Sequence, residues 1–350
     1  GGTSGKSTVT GMIGWILHSL GQRPTVMNGA VMKNFATTDG PFASALVGDP
    51  DLFVSEVDES DGSIALYSPT LALLNNVSLD HKEMDELRSL FTGFLQAATI
   101  AVVNVDDEES RSLSGEVAGV VGYGFDQPDA GVRGLDLSLD AEGSRFTLAV
   151  EGQRHFVRLP LPGRHNASNA LGALAAVHAL GADLPAAVDA LSRFAGLKRR
   201  LETVGQAAGV RVIDDFAHNP DKIAATLATL AAGEGRLLLM FQPHGYGPLA
   251  KMGGELASTF AEGLRPDDLL ILSDPVYQGG TVDRSRGSDW LAEAVRQAGG
   301  RAEHIPDRQA IAERLLAEAR SGDTIAILGA RDDTLSLFAA DLVRNLGGRG

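Results

Sequence analysis

The chain begins with the segment GGTSGKST, whose residue types and order could bind a triphosphate. Glycines let successive backbone amides converge on phosphate oxygens, and the helix that follows adds the positive end of its dipole. Lys6 then reaches the β- and γ-phosphates, and the Ser7 hydroxyl coordinates Mg²⁺. A flexible Gly/Ser-rich terminus is the alternative, but apolar residues at helical spacing follow at once. The predicted phosphate site consists of Gly2, Thr3, Ser4, Gly5, Lys6, Ser7 and Thr8.

A run of carboxylates, EVDESD at 56–61, follows the apolar segment DLFVS. Ligands of open α/β sheets bind at the carboxyl ends of the strands, and a phosphate loop lies at the same edge. A carboxylate at this position, such as Glu56, could hold Mg²⁺ directly or through water. A solvated acidic turn is the alternative interpretation.

Histidines follow three other predicted strands. His81 ends LALLNNVSLDH, His218 lies in DDFAHNP three residues after Asp215, and His244 lies in FQPH. A histidine near a carboxylate at a strand end suits binding or proton handling. Structural turn chemistry is the alternative for each of them.

Two asparagines, Asn166 and Asn169, lie at the start of a predicted helix, just after two prolines. Pro and Asn are common at helix starts, so helix capping is the main alternative to a binding role.

The elements that must position these residues alternate between short apolar runs and helical stretches. Residues 8–20 and 85–98 have helical spacing, whereas PTVMNG, DLFVS, LALL and TIAVVN are typical of buried strands. This alternation predicts an α/β fold with a mostly parallel, doubly wound sheet. Residues 131–158 predict two or three antiparallel strands, and the alanine-rich segment 166–190 predicts a helix.

A second alternation of strands and helices begins near residue 197, and a chain of 350 residues favours two domains. We therefore predict domains at 1–196 and 197–350.

The composition excludes several classes of function. A formal net charge of -15 argues against a nucleic-acid partner. The absence of cysteine excludes disulfides, thiolate metal sites and cysteine nucleophiles, and it fits a reducing cytoplasm. No uncharged apolar run reaches the roughly 18 residues of a membrane helix. We expect a cytoplasmic protein without a membrane partner.

Seven ordered motifs together resemble those of the Mur ligase family, the ATP-dependent amide-forming enzymes of peptidoglycan assembly. The motifs are GGTSGKST, SEVDESD, NNVSLDH, LPGRHNASNALGA, KRRLE, DDFAHNP and FQPHGY. SEVDESD is most similar to EADESD, the form found in the branch that ligates L-alanine to UDP-N-acetylmuramate and in its muropeptide-recycling relative.

The resemblance implies a P-loop ATPase domain, with a mostly parallel sheet and a small antiparallel sheet, followed by a Rossmann-like α/β domain. It also implies that the chain begins inside the ATPase domain and lacks the N-terminal UDP-binding domain of the family. An edge left open by the missing strand before the loop would be covered by a neighbouring segment or partner, or the loop would be poorly ordered. The implied cofactors are ATP and Mg²⁺.

Residue by residue, the resemblance implies a nucleotide and metal site. Lys6 and the loop amides contact the phosphates, and Ser7, Glu56 and His81 are metal ligands. Arg200 meets the γ-phosphate.

The remaining nucleotide contacts are implied in the same way. Asn166 and Asn169 lie near the adenine, and Asp215 holds the ribose.

The acceptor side is implied to include His218 and His244, with catalytic roles for Lys6, Arg200 and His218. The implied substrates are an amino acid or peptide and a small-molecule carboxylate of the UDP-N-acetylmuramate type.

Two segments depart from the family pattern. Where the alanine-adding branch has FQPHRYTR, this chain has FQPHGYGPLAK, so both arginines are missing and Lys251 is the candidate replacement. Residues 329–333, GARDD, place an ion-capable pair where small residues are usual. These departures argue against L-alanine as the acceptor. They leave two alternatives open, namely a ligase for a non-peptidoglycan carboxylate and a nucleotide-binding subunit with a decayed acceptor site.

Overall fold

The computed structural model describes residues 1–79, 82–277, 279, 281 and 283–348. The chain divides into two compact units, Gly1–Leu197 and Lys198–Gly350.

The first unit contains nine strands and five α-helices among its described residues. The strands are β1 (Pro24–Met27), β2 (Ala45–Leu46), β3 (Asp49–Ser55), β4 (Leu71–Leu74), β5 (Ile100–Asn104), β6 (Val121–Gly124), β7 (Val132–Leu139), β8 (Ser144–Val150) and β9 (Gln153–Leu159). The helices are α1 (Lys6–Ser19), α2 (Met84–Gln96), α3 (Glu108–Ser114), α4 (Arg164–Ala179) and α5 (Leu184–Leu191). A short 3-10 helix, Ser63–Leu66, follows β3.

These strands form two sheets. One sheet has the order β2-β1-β3, and the other has the order β4-β5-β6-β7-β8-β9. Strands β4 to β7 pair in parallel, and β8 and β9 continue the same sheet with antiparallel pairing. The predicted antiparallel strands are thus three in number, and they extend the parallel sheet instead of forming a separate one.

Helix α1 carries the phosphate loop at its N-terminus and packs into the main core of this unit. Val9, Met12 and Ile16 are at most 4% exposed and lie in one apolar cluster with the alanine-rich face of α4. The indole Nε1 of Trp15 donates to the carbonyl of Ala190 at 2.8 Å. The loop is therefore mounted on a helix whose orientation is fixed by buried contacts.

The segment 166–190, predicted to be helical, contains two helices, α4 and α5. Gly181 adopts a left-handed conformation with φ 82° just after α4, which ends the helix without a Cβ clash. The Asp183 side chain then accepts a hydrogen bond from the Ala186 amide at 2.9 Å and caps α5.

The second unit is a six-stranded sheet with helices on both faces. Its strands are β10 (Glu202–Ala207), β11 (Val210–Asp215), β12 (Leu237–Phe241), β13 (Leu269–Leu272), β14 (Ala302–His304) and β15 (Thr324–Leu328). Its helices are α6 (Pro220–Leu230), α7 (Tyr246–Gly263), α8 (Ser288–Gln297), α9 (Arg308–Glu318) and α10 (Thr334–Gly347).

The strand order in this second sheet is β10-β11-β15-β12-β13-β14, and only β10 is antiparallel to its neighbour. Strand β12 is buried at all five positions, as expected for a strand covered on both faces. The predicted α/β class is confirmed. The motifs DDFAHNP, FQPHGY and GARDD all begin at carboxyl ends of parallel strands, where such sheets bind ligands.

No helix among the described residues is both long enough and apolar enough to cross a membrane.

Candidate active site

The phosphate loop is held in a conformation that requires glycine. Gly5 has φ 79° and precedes α1, and a Cβ at this position would collide with the side-chain amides of Asn75 and Asn169. Amides in the first turn of a helix have no acceptor one turn earlier. The amides of Lys6, Ser7 and Thr8 can therefore bind an anion at the N-terminus of α1.

The start of the loop is hydrogen-bonded to the segment that follows β4. The Thr3 amide donates to the carbonyl of Asn76 at 3.1 Å, and the Ser4 amide donates to Asn76 Oδ1 at 2.8 Å. Gly1 pairs with the end of β4, since its carbonyl accepts from the Asn75 amide at 3.1 Å. Gly2 to Ser4 therefore anchor the loop to β4 in this conformation, and their predicted contact with phosphate stays a prediction.

A buried amide network lies beneath the loop. Asn75 Nδ2 donates to the carbonyl of Ser4 and to Asn169 Oδ1, both at 2.9 Å. The hydroxyl of Tyr123, which is fully buried, donates to Asn75 Oδ1 at 2.8 Å. Burial raises the pKa of Tyr123, so its hydroxyl stays a donor. The network ties the loop to three separate elements.

The two predicted adenine residues are both engaged within the protein. Asn169 accepts from Asn75 in this network, and Asn166 Nδ2 donates to the carbonyl of Pro162 at 2.7 Å near the start of α4. Their contact with adenine stays a prediction.

Lys6 lies against the acidic turn after β3. Its Nζ is 2.8 Å from Glu59 Oε2 and 3.9 Å from Asp58 Oδ1. Glu59 is only 1% exposed. Burial alone would raise the pKa of Asp58, but the hydrogen bond from the Ser60 amide and the charge of Lys6 outweigh it and lower the pKa. Sequence reasoning placed a carboxylate cluster here but did not pair Glu59 with Lys6.

Glu56 has the character of a magnesium ligand. Its Oε2 atom is buried and has no hydrogen-bond partner among the residues described by the structure. An unpaired buried carboxylate oxygen is costly, and Mg²⁺ prefers oxygen ligands of this kind. Ser7, the other predicted oxygen ligand, is 6% exposed. Both residues therefore fit the predicted ion.

The third predicted ligand, His81, lies outside the described residues. Among the residues that are described, no three or more His, Asp or Glu side chains form a metal-binding group.

In the second unit, the KRRLE segment is clamped in an unusual backbone conformation. Arg199 and Leu201 are both left-handed, with φ 57° and 47°. The carbonyl of Arg199 accepts from the Phe216 amide at 2.9 Å and from Arg200 Nη1 at 3.1 Å. The Arg200 guanidinium lies 4.4 Å from the centroid of the Phe216 ring. Arg200, the predicted γ-phosphate ligand, is thus held against the DDFAHNP segment of its own unit.

Asp215, the predicted ribose ligand, is engaged in the same segment. Its Oδ2 accepts from the hydroxyl of Thr226 at 2.5 Å, and its Oδ1 accepts from the Leu201 amide at 3.3 Å. Asp215 is 6% exposed, so it supports the backbone beside Arg200. Its contact with ribose stays a prediction.

The structure brings His218 and His244 together. Their rings stack at 4.9 Å between centroids and 24° between planes, and the Phe216 ring packs edge-on against His218 at 5.6 Å. Two motifs from different strand ends thus form one cluster of rings. Lys251, the predicted replacement for the missing arginines, is exposed on α7, and its contact with a substrate stays a prediction.

The ion-capable pair of GARDD is used within the second unit. Asp332 pairs with Arg308 at 2.7 Å, and Asp333 pairs with Arg199 at 3.1 Å. Burial would raise the pKa of Asp332, but hydrogen bonds from Thr334 and Arg308 outweigh it and lower the pKa. Arg199 also donates to the carbonyl of Gly329 at 2.6 Å.

Comparisons with known proteins identify the family of this chain. The model described as "Mur ligase middle domain" matches residues 1–177, and "Mur ligase, glutamate ligase domain" matches residues 199–331. The chain belongs to the Mur ligase family. The family predicted from the sequence motifs is therefore confirmed.

Relatives in this family include two enzymes named UDP-N-acetylmuramate–L-alanine ligase. The protein from Clavibacter michiganensis is 35% identical over 339 residues, covering 95% of this chain and 69% of the relative. The protein from Streptomyces avermitilis is 35% identical over 348 residues, covering 95% of this chain and 72% of the relative. This Mur ligase chain thus spans about seven tenths of these relatives.

Solved structures agree on the fold. The UDP-N-acetylmuramate-alanine ligase of Thermotoga maritima superposes with a TM-score of 0.81 at 23% identity, covering 100% of this chain and 75% of that one. The MurF ligase of the same organism, solved in complex with ADP, gives 0.73 at 16% identity, covering 100% of this chain and 79% of that one. At these identities the likeness carries the Mur ligase fold and no more.

Proposed function

We propose that this chain binds ATP at the N-terminus of α1 and forms part of a ligase that joins a carboxylate to an amine. The observation that carries the proposal is the set of phosphate-compatible groups at the N-terminus of α1 and in the turn after β3. These groups are the first-turn amides of α1, the Lys6 ammonium, and the buried Oε2 of Glu56, which has no hydrogen-bond partner among the described residues. Ser7 and Glu56 would hold Mg²⁺, which supplies charge neutralisation for bound phosphates.

The reaction proposed for this site has two steps. A carboxylate oxygen attacks the γ-phosphorus of ATP and releases ADP, while Lys6 stabilises the charge on the phosphoryl oxygens. An amine then attacks the carbonyl carbon of the acyl-phosphate, and inorganic phosphate leaves as the amide forms. His218 and His244, stacked at 4.9 Å, would lie on the acceptor side.

The proposed substrates are those of the relatives named UDP-N-acetylmuramate–L-alanine ligase. A UDP-N-acetylmuramate-type carboxylate is the expected acyl donor, and an amino acid or peptide is the expected acceptor, in peptidoglycan synthesis or recycling. The alanine-adding branch has arginine at the position of Gly245. The proposed acceptor is therefore not restricted to L-alanine and includes other amino acids. A cytoplasmic location is part of this proposal.

A second candidate is a nucleotide-binding subunit whose acceptor site has decayed. The segment FQPHGYGPLAK favours it, because both arginines of the family pattern are missing. Lys6, Glu56 and Arg200 oppose it, since decay would not spare each of these charges. A ligase for a carboxylate outside peptidoglycan shares the proposed chemistry and differs only in the donor.

Phosphate release distinguishes these candidates. The full-length protein is incubated with ATP, Mg²⁺ and UDP-N-acetylmuramate, and each common amino acid is added in turn. Release that depends on both UDP-N-acetylmuramate and an amino acid supports the ligase. Binding of ATP with no substrate-dependent release supports the subunit, and absence of ATP binding contradicts both.

A further inference from the structure

We infer that Glu59 is the positioning residue of Lys6, and that it holds the ammonium at the phosphate loop both before and after nucleotide binds. The inference rests on the proposed function, since it concerns the same phosphate site. In the SEVDESD motif, the family resemblance implies a role for Glu56 as a metal ligand but none for Glu59.

The contact between the two residues is short and shielded from water. Lys6 Nζ lies 2.8 Å from Glu59 Oε2, and the Glu59 side chain is 2% exposed. The neighbouring Asp58 is 3.9 Å away, beyond hydrogen-bond distance, and its side chain is 58% exposed. Solvent therefore screens Asp58 but not Glu59, so Glu59 dominates the electrostatic environment of Lys6.

The acidic residues of the turn make two kinds of contact. Asp58 Oδ1 accepts from the Ser60 amide at 2.9 Å, and Asp61 Oδ1 accepts from the Ser63 amide at 2.8 Å. These side chains shape the turn that leads into the 3-10 helix. Glu59 instead fixes its backbone through its carbonyl, which accepts from the Gly62 amide at 3.1 Å. Its carboxylate is then directed to Lys6.

The energetics favour a pair that persists when phosphate arrives. Removing the partner of a buried charge is strongly destabilising, so Lys6 cannot leave Glu59 without cost. A lysine ammonium has three N–H donors, and Glu59 takes one. Two donors have no acceptor among the described residues, so Lys6 can serve Glu59 and a phosphate oxygen from one position.

Positioning matters because a lysine side chain is long and flexible. A fixed ammonium meets the transferring phosphoryl group without reorganisation, and a misplacement of about 1 Å can cost on the order of 10²-fold in rate. Glu59 also places a negative charge near the phosphates, which weakens the ground-state attraction. Its loss is therefore expected to lower kcat much more than it changes the affinity for ATP.

The test compares Glu59→Ala, Glu59→Gln and the matched control Asp58→Asn in ATP affinity and in phosphate release. Asn at position 58 removes the charge but keeps the Oδ1 atom that accepts from the Ser60 amide. The assay contains ATP, Mg²⁺, UDP-N-acetylmuramate and a mixture of the common amino acids. We expect Glu59→Ala to lower kcat by roughly 100-fold while the Kd for ATP changes by less than about threefold. Glu59→Gln, which keeps an acceptor oxygen, should recover about tenfold, and Asp58→Asn should stay within about threefold of the parent.

A double variant separates positioning from a merely structural role. If Glu59 acts through Lys6, adding Glu59→Ala to Lys6→Ala lowers kcat no further. A further loss of similar size in the double variant, or equal losses for Asp58→Asn and Glu59→Ala, would overturn the inference.

Two further results complete the test. If Glu59→Ala does not fold, as judged by its unfolding transition, Glu59→Gln decides, and unchanged kcat in Glu59→Gln then overturns the inference. An unmodified protein that binds no ATP refutes the proposed function itself, whereas an active protein indifferent to Glu59 refutes only its positioning role.

Discussion

Lys6 in the first unit and Arg199 in the second unit are both long cations set against buried carboxylates near strand ends. Lys6 faces Glu59, which is 1% exposed, and Arg199 lies 3.6 Å from Asp214, which is fully buried. The two differ in what their remaining donors do. Lys6 gives one hydrogen bond to Glu59 and lies beside first-turn amides of α1, whereas Arg199 donates to Gly329 and Asp333 within its own unit.

This difference shows that the same kind of ion pair can serve either the fold or a ligand site. Arg199 joins the KRRLE segment to the end of β11 and to the GARDD segment, so its contacts hold parts of the fold together. Among the described residues, Lys6 donates to Glu59 alone and lies at the N-terminus of α1, so its ammonium can also serve an anion.

The largest effect on stability is expected from Arg199→Ala. The substitution leaves buried Asp214 without a cation, and breaking a buried pair in this way costs about 3 kcal/mol or more. Burial already raises the pKa of Asp214, so the carboxyl group of the variant should take up a proton more readily. Urea unfolding measures the loss.

Asp333→Asn is the matched control, because it removes the other ion pair of Arg199 at a side chain that is 98% exposed. It should leave the unfolding midpoint unchanged. Equal unfolding midpoints for Arg199→Ala and the parent protein would contradict the structural role given to Arg199 in the comparison with Lys6.

Tyr123→Phe should have the next largest effect. Asn75 Oδ1 would lose its buried donor, which costs about 1–3 kcal/mol, and the floor of the phosphate loop would loosen. Hydrogen exchange at the Ser4 amide should accelerate, and ATP should bind more weakly.

Tyr67→Phe provides the comparison, since no hydrogen bond of the Tyr67 hydroxyl occurs among the described residues. Equal exchange rates in the two tyrosine variants would refute a supporting role for the Tyr123–Asn75 contact.

Much of the architecture could be predicted from local pattern. Periodicity and glycine positions are local features of the sequence, so they predict single elements. They predicted the start of α1, the apolar runs of β4, β5, β11 and β12, and the motifs at the ends of these strands. The family could be identified for the same reason. Helix α10 was missed, although Leu335, Phe338, Ala339 and Leu342 are buried at helical spacing.

The site itself was only partly predictable, because its partners are distant in sequence. Lys6 and Glu59 are 53 residues apart, and Tyr123 and Asn75 are 48 apart. No periodicity encodes such pairs, since they depend on which strands are neighbours. The asparagine pair directly after β4 was the one available signal for the loop floor.

The smallest effect on stability is expected at Glu318, a half-buried carboxylate paired with arginines. Hydrogen bonds from Arg314 and Arg236 lower the pKa of Glu318 to about 2. A carboxyl group with a depressed pKa stabilises the fold above its unfolded pKa of roughly 4.3, and this contribution is lost as the pH falls towards 2. Glu318→Gln should therefore lower the free energy of unfolding at pH 7 by about 1 kcal/mol or less.

The same variant should match the parent protein near pH 2. Unfolding curves at the two pH values provide the measurement, and a loss of equal size at both would contradict the ionic origin of the contribution.

The most direct test of the central claim, that the Lys6 end of α1 binds the phosphates of ATP, is calorimetric titration of ATP with Mg²⁺. Arg154→Ala, which removes one positive charge from an exposed position on β9, is the control for Lys6→Ala. A charge-assisted hydrogen bond contributes about 1.5–3 kcal/mol, so Lys6→Ala should weaken binding by roughly 10- to 100-fold, and Arg154→Ala should not. Equal affinity of Lys6→Ala and the parent protein would contradict the assignment.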